Sequence, residues 1–144
     1  MNFIPFSRSR LATSVLIALA SVTLGCGGGG VGPRLAPVSG TVTFDGEPLS
    51  DALVSFYHED DRPANGKTDA NGYYELAYMA DRPGAIVGEN VVRITVATVE
   101  GEGVAPKKEL IPAMYNVASE LTFNVESGSN TNVNFDLKKT GGPG

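Results

Sequence analysis

The sequence predicts an all-β fold, a sandwich of about seven antiparallel strands. Three observations carry this expectation. Apolar and polar residues alternate with period two in run after run, the mark of strands with one buried and one wet face. Gly, Asn, Asp and Pro separate the runs at short intervals. Downstream of Cys26, no stretch shows the 3.6-residue periodicity of a long amphipathic helix.

The first strand is expected over 38–44. Val38, Gly40, Val42 and Phe44 fall on one side, with Ser39, Thr41 and Thr43 on the other. Asp45-Gly46 breaks the run, and Pro48, which lacks an N–H, belongs to the connection. The second strand, 52–57, sets Val54 and Phe56 against Ser55. A polar excursion, 58–63, leads to a short third strand at 66–69. Ala70-Asn71-Gly72 is a turn, because Asn and Gly tolerate left-handed φ. The fourth strand covers 73–79 with Tyr74 and Leu76 inward, and 81–84 is a loop. The fifth, 90–99, aligns Val92, Ile94 and Val96 in a β-branched run suited to a half-buried pleat. A long connection, 100–119, contains Ile111-Pro112-Ala113-Met114-Tyr115-Asn116, expected to form a single helical turn.

The last two strands are the clearest. Leu121, Phe123 and Val125 alternate with Glu120, Thr122, Asn124 and Glu126; Val133, Phe135 and Leu137 alternate with Asn132, Asn134, Asp136 and Lys138. The expected core is Val42, Phe44, Val54, Phe56, Tyr74, Leu76, Val92, Ile94, Val96, Phe123, Val125, Phe135 and Leu137. Large apolar side chains contribute about 1.5–3 kcal/mol each on burial, which suffices for one modest core without disulfides.

Upstream of the domain the chain has the order of an export signal. Arg8 and Arg10 precede a short apolar run, 11–22, which is below the roughly 20 residues a spanning helix needs. Gly25-Cys26 and a run of glycines follow. This order is similar to a bacterial lipoprotein signal, with Thr23 standing where leucine is usual. The resemblance implies cleavage before Cys26, a lipid on its sulfur, and a helix within the signal. Acyl chains anchor by burying CH₂ groups, each contributing about 0.8 kcal/mol. Residues 1–25 are then the signal, 26–37 a lipidated cysteine with a flexible Gly-rich linker, 38–138 the domain and 139–144 a tail. The location implied is the cell envelope, on a membrane reached through the anchor.

The run VSGTVTFDGEPLSDALVSF, followed by Thr68-Asp69-Ala70-Asn71-Gly72-Tyr73-Tyr74, resembles the carboxypeptidase regulatory-like domains. The shared pattern is V-x-G-x-V, a G-x-P-L turn, A-x-V-x-F, then T-D-x-x-G-x-Y. The resemblance spans 38–99 and implies a transthyretin-like or immunoglobulin-like sandwich. Its motifs are turn and core positions, so they bear on fold more than on function.

Charge and residue counts exclude several classes. Removing the signal takes away two of 11 basic residues and none of 16 acidic ones, so the formal charge moves from −5 to −7. An acidic chain without a basic stripe is not built for nucleic acid. One cysteine allows no internal disulfide, and one histidine, His58, is too few for an ordinary catalytic zinc site. His58 with Asp60 and Asp61 lacks a nucleophile motif such as G-x-S-x-G, and a solvated loop explains all three. Asp69-x-Asn71-Gly72 lacks the later ligands of a calcium loop, although weak binding by Glu59, Asp60, Asp61 and Asp69 is an open alternative. No catalytic residue, metal ligand or cofactor motif emerges.

The candidate binding residues are Leu110, Ile111, Met114 and Tyr115, in the long connection. The competing reading makes them a cap over one end of the sandwich. The expected role is non-catalytic: a structural or binding module with an envelope protein or a glycan as partner. A glycan-binding module would use exposed aromatics, with Tyr57, Tyr73 and Tyr78 available. An accessory subunit of a separate envelope hydrolase is a further alternative, and edge strands offer a site for strand addition.

Overall fold

The computed structural model describes residues 32–96 and 107–140. The expected signal, Cys26 and the glycine run lie outside the described residues. Twelve strands and a single 3-10 turn make up the described secondary structure: β1 Leu35–Ala36, β2 Ser39–Phe44, β3 Glu47–Pro48, β4 Leu53–Tyr57, β5 Ala64–Lys67, β6 Tyr73–Glu75, β7 Ala77–Met79, β8 Arg82–Pro83, β9 Ala85–Ile86, β10 Gly88–Thr95, the turn Ala113–Tyr115, β11 Thr122–Val125 and β12 Phe135–Leu137. The described residues are all-β, as the alternation predicts.

A six-stranded antiparallel sheet runs β11-β10-β4-β5-β7-β8. A smaller sheet runs β12-β2-β3, with β6 also paired to β2. Their inner faces meet. Phe56 of β4 lies edge-on to Phe135 of β12, with ring centroids 6.3 Å apart, and to Phe123 of β11 at 6.0 Å. Tyr74 of β6 stacks on Phe135 at 6.5 Å. Such offset and edge contacts suit the aromatic quadrupole.

The expected fourth strand is two strands. Tyr73–Glu75 pairs with β2 in the smaller sheet, and Ala77–Met79 pairs with β5 in the larger. The chain changes sheets at Leu76, whose N–H donates to the Val38 carbonyl and whose carbonyl accepts from Gly84. Period-two alternation continues across the crossing, since Tyr74 and Leu76 are both buried. For that reason it does not register the change of partner.

One pairing departs from the antiparallel expectation. β12 runs parallel to β2, with Phe135 opposite Val42 and Leu137 opposite Phe44. The chain enters β12 after visiting the other sheet, so no hairpin fixes its direction. The outward polar positions still match across the pair. Thr43 Oγ1 donates to Asp136 at 2.8 Å, and Thr41 donates to Asn134 Oδ1 through both its N–H and its hydroxyl.

Two glycines are required by geometry. A Cβ on Gly40 would lie 1.9 Å from the Val133 carbonyl oxygen, so the glycine of the V-x-G-x-V run admits the Val133 backbone. Gly72 has φ +74 and closes the turn before β6. In that turn the Asp69 carboxylate accepts from the N–H groups of Asn71 and Tyr73, an Asx turn formed by the chain alone.

A short strand lies within the stretch expected as linker, 26–37. Leu35 and Ala36 pair with Ile86 and Ala85, and Ala36 is buried. The loop expected at 81–84 contains β8, and the third strand starts at Ala64, two residues before its expected start. The end of the fifth strand expected beyond Val96 lies outside the described residues. Of the expected core, Phe44, Phe123 and Phe135 are only partly buried against it. Phe123 and Phe135 sit on edge strands, and Phe44 ends β2.

Candidate functional site

Leu53, Ser55 and Tyr57 occupy alternate positions of β4 and point away from the core that Val54 and Phe56 fill. Their cross-strand neighbours on β10 are Thr95, Arg93 and Val91. This outer face of the six-stranded sheet forms the floor of a groove of about 550 Å³. Segment 109–117 forms its wall, through Glu109, Ile111, Ala113, Asn116 and Val117. Small-molecule sites fall in the range of about 300–1,000 Å³.

The wall is held at both ends. The Thr95 hydroxyl donates to the Glu109 carboxylate, which also accepts the N–H groups of Val96, Leu110 and Ile111 at 3.3, 3.0 and 2.9 Å. At the far end the Ser119 hydroxyl donates to the Val92 carbonyl at 2.5 Å. Between these ties, Asn116 Nδ2 donates to the Ile111 carbonyl, and Tyr115 turns inward and is 1% exposed. The Lys138 N–H donates to the Tyr115 hydroxyl at 3.2 Å, so the turn is pinned to the end of β12.

The groove combines unlike surfaces. Leu53 is 41% exposed and Val117 is 82% exposed. Arg93 lies over the Tyr57 ring, 4.7 Å from its centroid, within the range of a cation–π contact.

The four candidate binding residues separate. Tyr115 and Ile111 are buried, Met114 packs against the core, and Leu110 is 69% exposed. Three of them therefore pack into or against the core, while the groove is lined by their neighbours with β4 and β10. Only Ile111 belongs to both. The single 3-10 turn lies where a helical turn was expected. The signal for the groove was present in β4, where Leu53 and Tyr57 occupy the phase that alternation reserves for polar residues. Arg93 and Glu109 carried no such signal.

The remaining candidates are dispersed. His58 Nδ1 donates to the Glu89 carbonyl at 2.9 Å and docks the end of β4 on β10. Tyr73 is in the smaller sheet; Tyr78 lies in β7, flanked by Arg62 and Arg82. The three tyrosines therefore form no common platform. Among the described residues, no three His, Cys, Asp or Glu side chains are grouped to hold a metal ion. Cys26 lies outside the described residues.

No family model, curated protein or solved structure matches this chain.

Proposed function

We propose that this chain is an exported, lipid-anchored, non-catalytic module that binds a ligand at the cell envelope through the groove on its six-stranded sheet. The observation that carries the binding role is the exposure of Leu53 and Val117 beside Arg93 over a partly enclosed sheet face. Apolar side chains collected in a concave surface with a few polar groups are the usual make-up of a binding site. The location rests on the sequence order of Arg8 and Arg10, the apolar run, Gly25-Cys26 and the glycines. Within the all-β fold, the carboxypeptidase regulatory-like type is the proposed kinship. Gly40 and Gly72, both demanded by close backbone approach, belong to the pattern that suggested it. The glycan reading has less support, because its tyrosines are spread over separate surfaces.

Intact-mass and N-terminal peptide analysis of the chain recovered from membranes tests the anchor. The expected product begins at Cys26 and carries acyl mass on that residue. A product that begins at Met1, or an unmodified Cys26 in a soluble fraction, overturns it.

A further inference from the structure

We propose that the groove takes an amphipathic anion: an apolar ring or chain carrying one carboxylate or similar acidic head. This rests on the binding role proposed above and names the ligand class.

The apolar half of the site is Leu53, Tyr57, Ala113, Ile111 and Val117. Leu53 and Val117 are exposed where the fold gains nothing from them, and an apolar ligand body would cover both. The charged half is Arg93. Its guanidinium carbon lies 4.7 Å from the Tyr57 ring centroid, and it has no carboxylate partner among the described residues. The guanidinium is planar and presents its edge N–H groups as a fork that receives a carboxylate through two parallel hydrogen bonds.

The groove also contains a carboxylate, Glu109, which argues against an anion unless its charge is answered locally. It is answered: the Thr95 hydroxyl and three backbone N–H groups converge on it. These donors take up the acceptor oxygens of the carboxylate within the wall. Arg93 is thus left as the group that selects charge. An apolar cation would instead meet a guanidinium at the floor, and like charges in a partly enclosed site are costly.

Three probes of one shape test this on the full chain: 4-phenylbutanoate, 4-phenylbutanol and 4-phenylbutylammonium, followed by the methyl and aromatic NMR signals of Leu53, Val117 and Tyr57. The anion is expected to give saturable shifts at these residues, with the ammonium bound at least about tenfold more weakly. Arg93→Gln is expected to lower affinity for the anion about tenfold and leave the alcohol unchanged. Val117→Glu, at an exposed rim position, is expected to abolish anion binding without loss of the folded spectrum. Equal affinity for anion and alcohol, or no effect of Arg93→Gln, overturns the anion class while leaving the groove a binding site. No saturable shift with any probe overturns both.

Discussion

The Tyr74 hydroxyl donates to the Val133 carbonyl at 2.7 Å, joining residues 59 apart in the chain. Both groups are buried, so neither recovers a water partner if the other is lost. The bond ties β6, just before the chain changes sheets, to the segment entering the parallel strand β12. Tyr74→Phe keeps the ring against Phe135 and removes only the donor. It is expected to cost about 1–3 kcal/mol, the penalty for an orphaned buried acceptor, measured by denaturant unfolding. Burial also pushes the Tyr74 phenol well above the ordinary tyrosine value. A raised value means the protonated form contributes stability below about pH 10, and that this stability is lost as pH rises further. The wild type should therefore lose stability through the alkaline range more steeply than Tyr74→Phe. Parallel curves would contradict the assignment.

Gly40, the cross-strand partner of Tyr74 on β2, stands against the same residue, Val133. A Cβ at 1.9 Å from the Val133 carbonyl oxygen meets backbone, which has no rotamer to yield. Gly40→Ala is expected to cost more than about 4 kcal/mol, among the largest effects of a single added methyl. A cooperative unfolding transition close to that of the wild type would show that the segment before β12 moves aside freely.

Two surface aspartates contribute to the acid response. Asp51 is held below the ordinary carboxylate value by a hydrogen bond from Lys67, whose Nζ lies 2.9 Å away, and by the charge of Lys107. Asp136 is lowered by Lys138 and by the Thr43 hydroxyl. Lowered values mean stability present above the ordinary aspartate range, about 3.9, and lost as pH falls through and below it. Both sites are exposed, so the effect is small and screened by salt. Melting temperature between pH 5 and 2.5 should fall less steeply for an Asp51→Asn, Asp136→Asn double variant. An unchanged slope would assign the acid response elsewhere.

Alternation made the core strands legible. Val42, Val54, Phe56, Val92, Ile94, Val125 and Leu137 are buried where period two places them. It could not distinguish the parallel pairing of β12 with β2, because side-chain phase is the same in either direction. It also could not see Ala36, Ala52, Ala64 and Ala85, which are buried yet too small to mark a face. The groove was half legible. Leu53 and Tyr57 break the polar phase of β4, whereas Arg93 and Glu109 look like ordinary surface charges until β10 and the wall segment are placed beside each other. That placement depends on contacts such as Thr95 with Glu109, which no local pattern encodes.

The connection after β10 offers the sharpest separation of roles. Tyr115 is 1% exposed and takes the Lys138 N–H on its hydroxyl, while Leu110 is 69% exposed. Both are large residues of the same loop and were equal candidates for a binding surface. Tyr115→Ala removes a buried ring and leaves a cavity beside Met114 and the core, expected to cost about 3–5 kcal/mol. Leu110→Ala trims a side chain that is 69% exposed and is expected to stay within about 0.5 kcal/mol of wild type. Thermal melting of the two variants checks this directly. Because Tyr115 pins the wall of the groove to the end of β12, its loss should also broaden the signals of Val117 before global unfolding. If Tyr115→Ala melts with the wild type, the turn is not a cap. If Leu110→Ala is the destabilising variant, the burial assigned to the two residues is reversed.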